Sequence, residues 1–225
     1  THDWLSKLEA VHQGIDIDFH LQRLFLHSTV AGLPFLQLYQ EAKERSQTSV
    51  ASWKQFRRAQ RALNLLRYFE YTLSLPGASI ECGVFHGLSA WLLATVQNRL
   101  AHVFTEKPLH LLDSFEGLSA PSAEDLPDNP GATPYGAKEG FFATPVEFVK
   151  KVMGEFPEVQ IHQGFIPQAL ESLPRQLWSF VHVDVDLYAP TLACLEFFYP
   201  RLVQGGVILN DDYASPLFPG GGKAW

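Results

Sequence analysis

Four aspartates near the end of the chain carry the most chemical information. Val181-His-Val-Asp-Val-Asp-Leu-Tyr188 and Gly205-Gly-Val-Ile-Leu-Asn-Asp-Asp-Tyr213 are apolar runs that each stop on carboxylates. Buried strands favour β-branched and aliphatic residues and are poor in Asp. In an open parallel sheet, ligands bind outside the carboxyl ends of the strands. Asp184, Asp186, Asp211 and Asp212 are therefore expected to meet in one crevice and to hold a hard divalent cation. Oxygen-only ligands select Mg²⁺, Ca²⁺ or Mn²⁺ over zinc, and no Cys pair or His-x-x-x-His lies nearby. Asp184 and Asp186 point the same way while a strand persists; Asp211 and Asp212 diverge in a regular strand and converge only if it ends there. The plainer alternative is a pair of turns capped by Asp.

A second constellation, Ile80-Glu-Cys-Gly-Val-Phe-His-Gly-Leu-Ser89, follows an apolar run and opens a helical one. Glycines at such a turn let backbone and ligand approach closely. The spacing is Glu-x-Gly-x-x-x-Gly rather than the dinucleotide pattern. An acid facing a pyrophosphate is unfavourable, whereas a cationic amino-acid head group welcomes one. Glu81 thus points to S-adenosylmethionine, whose ammonium and sulfonium are positive. Asp113, in Leu111-Leu-Asp-Ser-Phe-Glu-Gly117, is placed to accept hydrogen bonds from ribose hydroxyls, or else to cap a turn. Phe115 suits the adenine or the core equally. Gln163, in Ile161-His-Gln-Gly-Phe165, is a candidate for the adenine edge, while His162 reads as an ordinary core or surface histidine.

These residues need elements to place them. Residues 3–75 read mostly helical, with Trp53, Phe56, Ala59, Leu63, Leu66 and Phe69 at three- and four-residue steps until Pro76-Gly77. Pro34 to Arg45 reads as a further helix. Beyond Gly77 strand and helix alternate: strands at Ala78–Cys82, Leu109–Asp113, Val159–Gln163, Ser179–Val185 and Val207–Asn210, helices at Leu88–Leu100, Pro145–Phe156, Pro167–Leu173 and Thr191–Leu202. Alternation of this kind implies crossover units and an α/β, doubly wound, mostly parallel sheet. Domain boundaries are expected at residues 1–75, a helical extension, and 76–225, the ligand-binding domain. The proline-rich stretch from Gly117 to Gly140 reads as a lid or binding loop, against plain surface disorder.

Composition narrows the partners. A net charge of −7 argues against nucleic acid. The basic cluster from Lys54 to Arg61 reads as a solvated helix face. Cys82 and Cys194 give no disulfide framework and suit a reducing compartment. No apolar run approaches the roughly 20 residues that span a bilayer, and the start lacks the regions of a signal peptide. The expected setting is cytoplasmic, without a membrane partner. The absent initiator Met suggests a trimmed or excerpted chain.

Taken in order, Glu81-Cys-Gly-Val-Phe-His-Gly, Leu112-Asp-Ser-Phe-Glu-Gly-Leu118, His182-Val-Asp-Val-Asp-Leu-Tyr188, Phe197-Phe-Tyr-Pro-Arg-Leu-Val-Gln-Gly-Gly206 and Asn210-Asp-Asp-Tyr213 resemble the macrocin O-methyltransferase family. The resemblance runs from residue 52 to the end, and its strength lies in the ordered set. It implies a class I, Rossmann-like methyltransferase fold, S-adenosylmethionine as donor, Mg²⁺ as cofactor and a sugar hydroxyl as acceptor. On this chain it implies Asp184, Asp211 and Asp212 as metal ligands and Asp186 as general base, with His182 and His86 as alternatives. Glu81, Gly83, Ser89, Asp113, Ser114, Gln163 and Asp184 would contact the donor, and Tyr135 and Phe141 would help cover a small glycosylated acceptor. A homodimer through the N-terminal helices is a further expectation.

The sheet of that fold usually ends in an antiparallel hairpin, and this chain reaches Gly220-Gly-Gly-Lys-Ala-Trp225 where the next helix would begin. The C-terminal strands are thus expected to be missing, through excerpting, supply by a partner or degeneration, with excerpting favoured. Two other functions compete: a nucleotide-sugar glycosyltransferase using Asp184-Val-Asp186 for its metal, and a non-catalytic S-adenosylmethionine-binding module.

Overall fold

Short branched and aromatic runs bounded by Gly, Pro and Asp become strands, and the longer periodic runs become helices. The structure, a computed structural model, describes residues 25–49, 52–104, 107–127, 138–213 and 215–225. Residues 1–24, and with them most of the opening helical expectation, lie outside the described residues, as does Tyr135. In chain order the elements are a two-stranded antiparallel ribbon, β1 (Thr29–Val30) and β2 (Leu33–Pro34), then α1 (Phe35–Arg45), α2 (Ser52–Thr72), β3 (Ala78–Cys82), α3 (Leu88–Leu100) and β4 (Leu109–Asp113). There follow α4 (Val146–Val152), β5 (Gln160–Gln163), β6 (Trp178–Val183), α5 (Tyr188–Phe198), β7 (Leu202–Asn210) and α6 (Pro219–Lys223). Single 3₁₀ turns lie at Ala123–Asp125, Gln168–Ser172 and Tyr199–Arg201.

Strands β3 to β7 form one parallel sheet in the order β5-β4-β3-β6-β7. The chain winds outward from β3 through β4 to β5, then returns to the other side of β3. The order therefore reverses between β3 and β6, and the crevice at that reversal is where an open α/β sheet takes its ligand. One sheet face, with Leu109, Leu111 and Phe180, is covered by α1 to α4 through Phe35, Leu66, Leu92 and Val149. The other face, with Ile80, Leu112, Val181 and Val183, is covered by α5 through Cys194 and Phe198. Helices on both faces make the sheet doubly wound, as expected. Cys82 and Cys194 are buried free thiols, and no helix among the described residues is long and apolar enough to cross a membrane.

The departures from expectation have local causes. β6 stops at Val183 rather than Val185, because Asp186 takes a left-handed backbone with φ 60°. α5 starts at Tyr188, earlier than Thr191, since Pro190 falls in its first turn, where a missing N–H costs nothing. β7 begins at Leu202 rather than Val207. Gly205-Gly206 looks like a turn but lies inside the strand, at a register shift against β6 with Gly205 at φ 81°.

Candidate active site

The carboxyl ends of β6 and β7 place the acids. Backbone bonds from Asp184 N–H to Cys82 O (2.8 Å) and from Asp211 N–H to Val183 O (3.0 Å) carry the ladder one residue past each strand. The chain then turns through Asp186, and Asp tolerates a left-handed backbone better than most residues. Ligand oxygens of Asp184, Asp186 and Asp212 end within 4.8 Å of one another. The Asp186 N–H donates to Asp212 Oδ2 at 3.1 Å. Asn210 orients the third acid: its Oδ1 accepts from Asp212 N–H at 3.0 Å while its Nδ2 donates to Gly221 O at 3.1 Å. Glycine is required at 221, where a Cβ would lie 2.9 Å from Asp212 Cβ and 3.2 Å from Asp186 O.

Three carboxylates this close cannot all ionise unaided. Burial, then the charge of Asp184, pushes Asp212 up to about 7, with Arg61 offsetting part of the rise. Burial, then Asp212 and Asp184, holds Asp186 well above the usual carboxylate range. An all-oxygen set that resists its own negative charge fits a hard divalent cation such as Mg²⁺.

Asp211 does not join the group. Arg61, on α2, donates from Nε to Asp211 Oδ1 at 2.7 Å and from Nη2 to the Asp211 carbonyl at 3.2 Å, and its guanidinium also pairs with Oδ2. The expected gathering of four acids is thus, among the described residues, a gathering of three, with Asp211 held by Arg61 instead. Arg57, Arg58 and Arg61 are exposed, in keeping with the reading of Lys54 to Arg61 as a solvated face, and from that face Arg61 reaches Asp211.

The glycine turn after β3 lies beside this group. Glu81 is fully buried on β3, with Oε1 2.8 Å from His182 Nδ1 and with Oε2 unpartnered. Burial raises its pKa, while His182 and Ser89, in the first turn of α3, oppose the rise. An orphaned buried carboxylate oxygen is a fitting place for an ammonium donor group. Gly83, with φ 87°, passes so close to the Asp184 carbonyl that a Cβ would collide with it. Donor turn and acid turn therefore touch.

Asp113 takes the second of its two expected roles, that of a turn cap. Its Oδ2 accepts from Val84 N–H (2.6 Å) and Phe85 N–H (3.1 Å), and its Oδ1 from Phe115 N–H (2.7 Å). It holds the glycine turn in shape. Ser114 likewise builds a turn, donating to Gly117 O at 2.8 Å and accepting from Glu116 N–H at 3.1 Å. Phe115 is buried in the core at φ 58°. Gln163 is exposed at the end of β5, level with Asp113 in the register. His162 lies outside the site, paired with His110 at 2.9 Å. Sequence reasoning missed Arg61, Asn210 and the Glu81–His182 pair. It also missed the purpose of Gly220-Gly-Gly222, three consecutive glycines that signal backbone packed tightly against something.

The family model described as Macrocin-O-methyltransferase (TylF) matches residues 60–218. The chain is 29% identical, over 144 residues, to 8-demethyl-8-(2,3-dimethoxy-alpha-L-rhamnosyl)-tetracenomycin-C 4'-O-methyltransferase of Streptomyces olivaceus; the match covers 62% of this chain and 54% of that protein. It is 24% identical over 144 residues to demethyldecarbamoylnovobiocin O-methyltransferase of Streptomyces niveus, with the same 62% and 54% coverage. The chain thus spans about half the length of these relatives. Among solved structures, a calicheamicin methyltransferase has the same fold, with TM-score 0.64 and 20% identity over 94% of this chain and 88% of that one. The matched stretch contains the donor turn, the Asp113 strand and all four aspartates, and the chain belongs to the macrocin O-methyltransferase family.

Proposed function

We propose that this chain carries the donor-binding and reacting parts of a Mg²⁺-dependent O-methyltransferase that moves a methyl group from S-adenosylmethionine to a hydroxyl of a deoxysugar on a natural product. The supporting observation is the close approach of Gly83 to the Asp184 carbonyl, which brings the turn that follows the unpartnered Glu81 oxygen against the chain that begins the three-aspartate group. By their names, one relative given above methylates a rhamnosyl tetracenomycin at a 4'-oxygen and the other an oxygen of demethyldecarbamoylnovobiocin.

A divalent cation bound here would supply Lewis acidity that lowers the pKa of a sugar hydroxyl. Asp184 and Asp212 are the residues to hold it, with Asp186 or a reoriented Asp211 completing the set. Asp186 is the general base: its carboxylate lies within 4.8 Å of the Asp184 and Asp212 oxygens, and in its ionised form it takes the hydroxyl proton as the O–C bond forms and the S–C bond breaks. His182 is a weaker choice because it is buried and its Nδ1 is bound to Glu81. His86 spends its Nδ1 on Ser46 O at 3.0 Å. The displacement needs no covalent enzyme intermediate, so the remaining work is positioning. Glu81 holds the donor ammonium; Gly83, Ser89, Ser114 and Gln163 line its path; Asp113 keeps the turn in register. Phe85 and Phe142, edge to face with centroids 5.2 Å apart, and Phe141, 4.3 Å from Phe142, form an aromatic margin for the acceptor. Residues 1–75 would serve as a helical extension packed on the donor domain, residues 76–225, in a cytoplasmic protein that dimerises through its N-terminal helices.

Calorimetric titration tests this reading. Micromolar binding of S-adenosylhomocysteine, without binding of a nucleotide-sugar diphosphate, is expected; the reverse selects the glycosyltransferase. Methyl transfer to a rhamnoside that stops with EDTA and returns with Mg²⁺ is expected. Donor binding with no transfer to any hydroxylated acceptor would leave a binding module.

A further inference from the structure

Asp125 is buried, lies in the 3₁₀ turn at the start of the long loop, and plays no part in the chemistry proposed above. Its Oδ2 accepts from the N–H of Ser122 at 2.8 Å and from the Ser122 hydroxyl at 3.0 Å. Its Oδ1 accepts at 2.7 Å from the N–H of Tyr188, the first residue of α5, 63 positions later. The first N–H groups of a helix have no partner within it, and a capping side chain normally satisfies one. The N-cap of α5 is Leu187, which has no acceptor to offer. Asp125 is thus a cap supplied from a distant loop, and the end it caps follows directly on Asp184-Val-Asp186.

The surroundings are built around this carboxylate. A Cβ at Gly220 would collide with Asp125 Oδ1 and stand 2.8 Å from Tyr188 N, so α6 approaches only as bare backbone. Lys223 Nζ donates to Leu126 O at 2.9 Å. Leu118, Leu187 and Phe218 close a small apolar cluster beside it, with Phe142 packed on top. The charges that raise Asp186 and Asp212 come from the aspartate group itself and not from Asp125. Its influence is geometric.

We propose that Asp125 is a positioning residue that clasps residues 118–127, which lead into the acceptor-side stretch, to the turn carrying Asp184 and Asp186, so that the anchoring of these residues and metal affinity rise and fall together. The proposal rests on the metal-site reading above. One carboxylate serves both sides: two of its three hydrogen bonds go to Ser122 on the loop side, and the third holds the helix start that follows the left-handed turn at Asp186. In Asp125→Ala both are lost. In Asp125→Asn one oxygen still caps Tyr188, while the amide faces the Ser122 donors, so the loop side is released first.

The test uses the full chain, with Mn²⁺ as metal probe by electron paramagnetic resonance, S-adenosylhomocysteine by calorimetry, and the rate of tryptic cleavage after Lys138 as the measure of how firmly residues 118–127 are anchored. For Asp125→Ala the expected result is Mn²⁺ affinity at least about 10-fold weaker, in the range for losing an outer-shell partner of a metal site. Cleavage after Lys138 becomes faster, and S-adenosylhomocysteine affinity stays within about twofold. Asp125→Asn should accelerate cleavage with a smaller Mn²⁺ effect, and it decides the matter if the alanine variant does not fold. Unchanged cleavage and Mn²⁺ affinity in the asparagine variant, or parallel weakening of donor and Mn²⁺ in either, overturns the clasp. If the unaltered protein binds no Mn²⁺, the metal reading fails by itself and the cleavage rates still decide whether Asp125 holds the loop.

Discussion

Asp211 and Asp212 are neighbours in sequence with opposite surroundings, and this separates their expected effects. Asp212 shares space with Asp184 and Asp186, whereas Asp211 is held by Arg61. Asp212→Asn should weaken Mn²⁺ by about 100-fold or more, beyond what an outer-shell loss produces, while Asp211→Asn should stay within about 10-fold. Arg61→Met should tighten Mn²⁺ by removing a nearby positive charge. Paramagnetic titration of the three variants checks this; equal losses for both aspartates would mean that Asp211 leaves Arg61 and enters the coordination shell. Asp113 acts instead on the glycine turn after β3. Its three accepted backbone bonds are of the charge-assisted kind, each worth roughly 1.5–3 kcal/mol. Asp113→Ala should therefore weaken S-adenosylhomocysteine by at least about 10-fold and leave Mn²⁺ nearly unchanged, measured by calorimetry. Metal loss in that variant would show that the two turns fail together.

The strands show why part of the architecture was readable and part was not. β3, α3 and β4 fall at the expected residues because apolar period and Gly/Pro punctuation agree there, and their burial is local to the sheet. The acids were legible as strand-end residues, since Asp has no business inside a buried run. Their directions were not, because these depend on the φ of Asp186 and on a partner from α2, which no local pattern encodes. The partners of the strand histidines were equally opaque. His110 is buried on β4, with Nδ1 2.9 Å from His162 Nε2 and Nε2 2.9 Å from the Gln176 amide, against the edge of Trp178. A neutral ring, donating at Nδ1 and accepting at Nε2, satisfies both neighbours; a protonated ring would set two donors face to face. Burial first, and then His162, pushes His110 down to about 4, and burial lowers His162 as well. The folded protein then binds fewer protons than the unfolded chain between this value and the ordinary histidine range. Stability from this group is full above about pH 6.5 and lost as pH falls toward 4. The urea midpoint should accordingly drop between pH 7.5 and pH 5, and His110→Gln should flatten that drop. An unchanged slope in the variant would assign the acid sensitivity elsewhere.

The helices before the sheet were expected as a separate extension, yet their side chains enter the same core. Phe69 of α2 meets Phe180 of β6 edge to face at 5.1 Å, and Leu66 and Phe35 belong to the cluster that contains Leu92, Leu111 and Phe180. Polar ties repeat the pattern: Arg45 lies over the Trp91 ring at 4.9 Å and pairs with Glu155 at 2.6 Å, and Arg61 reaches Asp211 across 150 positions. Elements that bury the same side chains cannot open independently without exposing them, and each large buried aromatic represents roughly 3–5 kcal/mol if removed. Scanning calorimetry should thus show one cooperative transition, with equal calorimetric and van't Hoff enthalpies. Two transitions would establish the extension as a unit that folds by itself. S-adenosylhomocysteine at about 100 times its dissociation constant adds about 2.7 kcal/mol to the folded state. At about 2–4 °C per kcal/mol for a chain of this size, that transition should move up by roughly 5–11 °C as a whole. In Asp113→Ala the same ligand concentration should produce a clearly smaller shift. A shift confined to part of the heat-absorption curve would mean that donor binding stabilises the sheet without the helices that cover it, and that the shared core does not couple them.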